Sequence, residues 1–201
     1  MTHRAPHIGL TGPAGAGKTT AAAWFVKIHK HHTFQFAAPL KKAVFGLIDH
    51  LRPHDHPHRT VWYINDPVGK QTPIDFMGGL TARYLMQTLG TEWGRNTIDK
   101  DFWVLLAAAK MNRAIRAYKK RDLRYVIEDM RFENEADLIR ALGGTILRIE
   151  RPGHTQLADT EAAHASETAP PAPDLVIVND GTIDDLHAQL ARHFPPPSSK
   201  T

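Results

Sequence analysis

Residues 7 to 27, HIGLTGPAGAGKTTAAAWFVK, restrict how this chain can begin to fold more than any other stretch. A short apolar run meets a glycine-rich turn that ends in Lys18-Thr19, and an alanine-rich run with strong helix propensity follows. From Gly12 to Thr19 the pattern is Gly, four residues, Gly-Lys-Thr. Glycines let the backbone curl so that consecutive N–H groups point inward at phosphate oxygens. Lys18 brings a cation to the β and γ phosphates, the Thr19 hydroxyl can ligate magnesium, and the helix amino terminus adds the positive end of its dipole. A bare glycine turn between strand and helix is the plainer alternative. The strand and helix that flank the motif favour a phosphate site.

Beyond this hand, short apolar strands alternate with helices. Strands are expected at 7–11, 33–36, 125–127, 145–149 and 175–178. Helices are expected from Lys18 to about Lys30, from Pro39 to Leu51, from Pro73 to about Trp93 across Gly78-Gly79, after Asp101 as a cap, from Asn134 to Gly143-Gly144, and from Ile183 to His193. Residues 52–73, rich in proline and histidine, read as an irregular excursion, and PPPSSKT at 195–201 as a flexible tail. This alternation predicts a parallel five-stranded sheet covered on both faces, a three-layer α/β/α fold within one domain of residues 1–194. In such sheets ligands sit beyond the carboxyl ends of the strands. The phosphate loop, Glu128-Asp129 and Arg151 all follow strand ends, so they can converge on one edge.

Asp129 follows the apolar triplet Tyr-Val-Ile. A carboxylate at a strand tip beside a phosphate loop can hold magnesium, directly or through water, or accept a proton from the acceptor. Arg131 can lie across a transferring phosphoryl group and neutralise charge as it develops. Without the phosphate loop the same residues would read as a surface turn with an ordinary ion pair. Lys18, Asp129 and Arg131 are therefore the candidate catalytic residues, and Thr19 and Asp129 the candidate magnesium ligands.

Composition narrows the setting. The 201 residues include no cysteine, which excludes a disulfide scaffold and thiolate metal sites. No apolar run approaches the roughly 20 residues that span a bilayer, and the amino terminus lacks the apolar core of a signal peptide. A cytoplasmic protein with no membrane partner is the expectation. A net charge of +4 suits anionic ligands but is too mild to argue for nucleic acid. The basic helix KMNRAIRAYKKRDLR reads as amphipathic with a wet basic face, and the histidines of RPHDHPHR as a solvated loop rather than a metal site.

Five further stretches carry a resemblance: RYLMQTLGTEWGR (83–95), DFW (101–103), EDMRFENEA (128–136), GGTILRIERPG (143–153) and VNDGTIDDL (178–186). With the phosphate loop, they make the chain resemble the deoxynucleoside monophosphate kinases of bacteriophages over most of residues 8–192. The resemblance implies a P-loop nucleoside-monophosphate-kinase fold and transfer of the γ-phosphoryl group of ATP, with magnesium, to a deoxynucleoside monophosphate in the host cytoplasm. It implies an acceptor-binding lobe at about 38–100 and a lid at about 151–173. ATP would be held by Gly12, Ala14, Gly15, Ala16, Gly17, Lys18, Thr19 and Thr20, by Arg151 from the lid, and by Asn179 and Gly181 near the adenine. Arg83 and Arg95 would hold the acceptor's phosphate, with Gln87 and Trp93 near its base or sugar. Arg83 and Gln87 are one helical turn apart, which places both on one face. Asn179 fits a helix cap equally well, and Trp93 a core position. The lid carries a single arginine, Arg151, and the HASE tetrapeptide at 164–167 matches the family without a chemical role. The family admits a homodimer.

Two other readings stand beside this one. A kinase acting on DNA would use the basic helix, and a nucleotide-dependent binding module would use hydrolysis to change partners. The second arginine pair at 83 and 95 argues against a module, which needs no second phosphate site. The identity of the base, modified pyrimidines included, is open.

Overall fold

The computed structural model describes residues 5–53, 59–117, 123–153 and 171–197. The histidine run at 54–58, Lys119 and Lys120 of the basic helix, residues 154–170 of the expected lid (HASE included) and the end of the tail lie outside the described residues. Strand β1 (Ile8–Thr11) leads through the phosphate loop into α1 (Lys18–His29), then β2 (His32–Phe34) and α2 (Ala38–Leu51). Helices α3 (Arg59–Asn65) and α4 (Pro67–Gln71) follow, then a small hairpin of β3 (Pro73–Ile74) and β4 (Leu80–Thr81). Helix α5 (Ala82–Gln87) runs on into a π-helical stretch at Thr88–Ile98, and α6 (Phe102–Ala117) comes next. The chain continues as β5 (Tyr125–Ile127), α7 (Glu133–Ala141), β6 (Thr145–Glu150), β7 (Leu175–Val178) and α8 (Ile183–His193).

These elements form two compact units, one of Met1–Phe36 with Ala108–Thr201, the other of Ala37–Ala107. The expected acceptor lobe, 38–100, lies inside the second. In the first unit, five parallel strands are ordered β2-β5-β1-β6-β7. The register explains the layers. Ile8 stands opposite Val126, Leu10 opposite Leu147 and Ile149 opposite Ile177, so one face is a continuous apolar surface. Helices α1 and α8 cover it with Phe25, Trp24, Leu186 and Leu190, all buried. Gly9 and Ile146 occupy the other face, where Met130 packs on them and α7 lies alongside β6. The absence of a side chain at Gly9 admits the Met130 sulfur: a Cβ there would come within 3.0 Å of it. Because all strands run the same way, their carboxyl ends share one edge.

The second unit has its own core of Val44, Ile48, Tyr63, Ile64, Ile74 and Ala82. Here the sequence-based expectations need correction in two places. Residues 59–71 are two helices rather than an irregular excursion. Asp66 caps α4, its carboxylate accepting the N–H groups of Val68 and Gly69, and Pro67 sits at the first helical position, where its missing donor costs nothing. Residues 73–81 are a hairpin, not the start of a long helix. Gly78 and Gly79, with φ of 69° and 82°, turn the chain, and α5 begins only at Ala82 under a Thr81 cap.

Candidate active site

The phosphate loop departs from β1 and returns into α1. Gly12 takes φ 125°, and a Cβ there would run into the carbonyl oxygen of Ile149 on β6. Gly17 takes φ 109° as the residue before α1, and a Cβ there would meet the Asn179 amide nitrogen at 2.7 Å. Both positions are closed to any residue with a side chain, for backbone and for steric reasons together. Ala16, between them, is fully buried. The half-buried Lys18 ammonium donates to the carbonyls of Gly12 and Pro13, each at 2.7 Å, so it lies against its own loop. Its pKa is lowered, first by burial and then by the positive charge of Arg131, while Glu128 acts in the opposite direction. Ala14, Gly15 and Thr19 are exposed along the loop and first turn, and Thr20 is half-buried.

Glu128, Asp129 and Arg131 follow the end of β5. Arg131 and Glu128 lie within electrostatic reach of the Lys18 ammonium. Asp129 has a structural duty as well: its carboxylate accepts the N–H of Phe36 at 3.0 Å and ties the exit of β2 to that of β5. Glu135, which sequence reasoning passed over, is 3% exposed and accepts the N–H groups of Arg131 at 2.7 Å and Phe132 at 3.2 Å. It closes the amino terminus of α7, which begins after Phe132 rather than at Asn134. Phe132 has no oxygen to return the bond, so the Ser/Thr-x-x-Glu signature of a capping box is missing and the pattern was invisible.

Past the ends of β6 and β7, Arg151, Asn179, Gly181 and Thr182 join Gly15, Gly17, Lys18, Thr19 and Thr20 around a cavity of about 510 Å³. The volume falls in the range of small-molecule sites. Asn179 is buried, its side-chain amide donating to the Ala16 carbonyl at 2.8 Å. It does not cap α8. Thr182 does that, its hydroxyl accepting the Asp185 N–H at 3.2 Å while the Asp185 carboxylate accepts the Thr182 N–H at 2.8 Å. Hydrogen bonds to Thr182 lower the Asp185 pKa. A Cβ at Gly181 would meet Asp185 Oδ2 at 2.5 Å, so a side chain there would have to displace the capping carboxylate.

Thr19 and Asp129 each offer the hard oxygen that magnesium takes. A metal carried mainly by nucleotide phosphates asks only one or two such oxygens of the protein.

The other expected residues belong to the second unit. Arg83 and Gln87 are half-buried on α5, four residues apart and hence on one face. Trp93 is 44% exposed and meets Phe102 edge-on, so it is not a core residue. Arg95 is half-buried and donates to the Lys100 carbonyl at 3.2 Å. The π-helical stretch that carries Trp93 and Arg95 is organised around Trp103. Its indole donates to the Gly90 carbonyl at 2.7 Å and lies where a Gly94 Cβ would be, 2.6 Å from that point. The glycines of LGTEWGR and the tryptophan of DFW are thus one packing unit.

Residues 70–190, more than half of the chain, match the family model described as deoxynucleotide monophosphate kinase. The chain belongs to the deoxynucleotide monophosphate kinase family. It is 33% identical over 192 residues to the putative deoxynucleotide monophosphate kinase of Acanthamoeba polyphaga mimivirus, covering 91% of this chain and 93% of that one. It is 33% identical over 113 residues to the deoxynucleotide monophosphate kinase of Enterobacteria phage T4 and 34% over 115 residues to that of Escherichia phage RB69. These matches span 55% and 56% of this chain and 44% of each phage protein. As a member of this kinase family, the chain carries its phosphate loop, its β5 exit and its Asn179-to-Thr182 turn on one sheet edge.

Proposed function

We propose that this enzyme transfers the γ-phosphoryl group of ATP to the 5′-phosphate of a deoxynucleoside monophosphate, yielding the deoxynucleoside diphosphate and ADP. The observation that carries the reading is the cavity at the sheet edge, lined by Gly15, Gly17, Lys18, Thr19 and Thr20 of the phosphate loop with Arg151 and Asn179, in a member of this family. An oxygen of the acceptor phosphate forms the new bond to the γ phosphorus as the bond to the β–γ bridging oxygen breaks. That acceptor is already an anion near neutral pH, so no strong base is needed, and positioning and charge neutralisation supply the rate. Loop N–H groups and Lys18 hold the β and γ phosphates, and Arg131 spans donor and acceptor phosphates where negative charge accumulates. Magnesium, held by Thr19 and Asp129 with the nucleotide, would supply further charge neutralisation. Arg151, Asn179 and Gly181 line the donor side, and Arg83, Gln87, Trp93 and Arg95 form the acceptor set.

The test is product analysis after incubating the protein with ATP, magnesium and each deoxynucleoside monophosphate in turn, 5-substituted pyrimidines included. A deoxynucleoside diphosphate should appear with matching ADP, and Lys18→Ala should lower the rate by about a thousandfold, at the upper end for one transition-state donor. If no monophosphate is consumed while ADP still forms, the acceptor assignment fails. If neither product forms, the whole reading does.

A further inference from the structure

Asn179 lines the same cavity as Gly15, Gly17 and Lys18 of the phosphate loop. It is 7% exposed, and its backbone N–H donates to the Glu150 carbonyl at 2.7 Å, which sets the residue firmly past the ends of β6 and β7. Its side-chain nitrogen then reaches the Ala16 carbonyl at 2.8 Å. That carbonyl belongs to the peptide joining Ala16 to Gly17. Among the described residues there is no cis peptide, so C=O and N–H of this unit point in opposite directions across one plane. Holding the Ala16 oxygen toward Asn179 therefore turns the Gly17 N–H away from Asn179.

Such a hold matters because the glycine in this peptide unit sets little barrier of its own to turning it over. A flip would carry Gly17 from its φ of 109° to roughly −70°, which lies in the region that all residues favour. Glycine crosses between those values at little cost. The flipped unit would present a carbonyl oxygen to phosphate instead of an N–H, replacing an attraction by a repulsion. The close fit confirms how tightly the amide is seated: at Gly17 a Cβ would stand 2.7 Å from the Asn179 nitrogen and 3.4 Å from Leu186.

We propose that Asn179 is a positioning residue for the phosphate loop, its amide latching the Ala16–Gly17 peptide in the orientation that donates to the donor's phosphates. This rests on the reading of the loop as the ATP phosphate site, and it differs from the adenine contact that the family resemblance implies for Asn179. The two roles make opposite demands. A latch acts on any phosphate chain, with or without a base. A base contact acts only through the base.

Inorganic tripolyphosphate, ATP and GTP separate them. Kd for tripolyphosphate, kinetics with ATP and with GTP, KM for the acceptor and the melting temperature would be measured for the wild type, Asn179→Ala and Asn179→Asp. The Asp variant keeps the shape of the side chain and removes the donor. The latch predicts that Asn179→Ala weakens tripolyphosphate and ATP by the same factor, about tenfold for one lost buried hydrogen bond. The ATP-to-GTP preference and the acceptor KM should not change. Asn179→Asp should bind more weakly still, because a carboxylate would face the Ala16 carbonyl. An altered ATP-to-GTP preference with unchanged tripolyphosphate binding would overturn the latch in favour of the base contact. A lower melting temperature with unchanged affinities, measured well below it, would reduce Asn179 to a structural residue. If the wild-type protein binds neither tripolyphosphate nor ATP, the phosphate-site reading itself fails and the latch with it.

Discussion

At the scale of single residues, the exit of β5 shows how buried and functional groups share one short segment. Arg131 lies close enough to Lys18 to depress its pKa, yet its backbone is held by Glu135, a carboxylate that is almost fully buried. The side chain does the proposed chemistry and the backbone supplies its aim. Arg131→Ala should lower kcat by about a hundredfold or more, the usual cost of removing one preorganised transition-state donor, while the melting temperature stays near that of the wild type. Near-normal turnover would remove Arg131 from the mechanism. Glu135→Ala should behave differently. It strands two N–H groups at the start of α7 and should cost about 1–2 kcal/mol of stability, the range for a lost helix cap, together with a fall in kcat. Denaturant unfolding beside steady-state kinetics would separate the two variants. The position of Asp129 and Arg131 at a strand exit was legible in the sequence because they follow an apolar triplet. Glu135 was not, because its bonds go to backbone groups and leave no pattern of residue types.

At the scale of elements, legibility followed how local the governing interactions are. The strand, glycine turn and helix at 7–30 are set by propensity and backbone conformation, and their limits were readable. The second unit is different. Pro67 looked like a breaker, though it opens α4, and Gly78-Gly79 looked like a weak point in a helix, though they turn a hairpin. In the π-helical stretch the decisive partner is Trp103, nine residues beyond Gly94 and thirteen beyond Gly90. A period of 3.6 residues cannot report that contact. It makes a sharp prediction nonetheless. Gly94→Ala would drive a methyl group into the indole, whose Nε1 and Cε2 stand 2.6 and 2.9 Å from the new carbon. The indole must leave the Gly90 carbonyl or the helix must shift. Overpacking of this kind costs about 1–3 kcal/mol, and the shift should raise the KM for the acceptor, because Trp93 and Arg95 flank the same glycine. An unchanged urea midpoint would show that the stretch tolerates the methyl group and that Trp103 does not organise it.

At the scale of the whole molecule, the alternation of strands and helices predicted the parallel sheet, but not what fastens its far edge. There, away from the strand ends that carry the site, three buried histidines join segments distant in sequence. His7 accepts the Tyr125 N–H at 3.1 Å, and His29 accepts the Ala5 N–H at 3.4 Å while donating to the Phe194 carbonyl at 3.1 Å. His31 donates from Nε2 to the Pro6 carbonyl at 2.7 Å, and its buried Nδ1 has no hydrogen-bond partner. A proton on that nitrogen would be a buried charge facing His29, His7 and Arg124, with no acceptor. Burial chiefly, and those neighbours in addition, push the His31 pKa down from 6.5 to about 4, against the Pro6 carbonyl, which favours the proton. In the unfolded chain the ring takes up its proton near pH 6.5, so between pH 6.5 and 4 the unfolded state binds more protons than the folded one. Stability is therefore full above pH 6.5 and falls as the pH drops through that window, by roughly 3 kcal/mol from this group alone. Urea unfolding at a series of pH values should show the decline. His31→Gln, whose amide can still donate to Pro6 but does not titrate, should flatten part of it. Identical pH profiles for the two proteins would mean that His31 is protonated without penalty in the folded state, and the acid sensitivity would then have to come from the carboxylates.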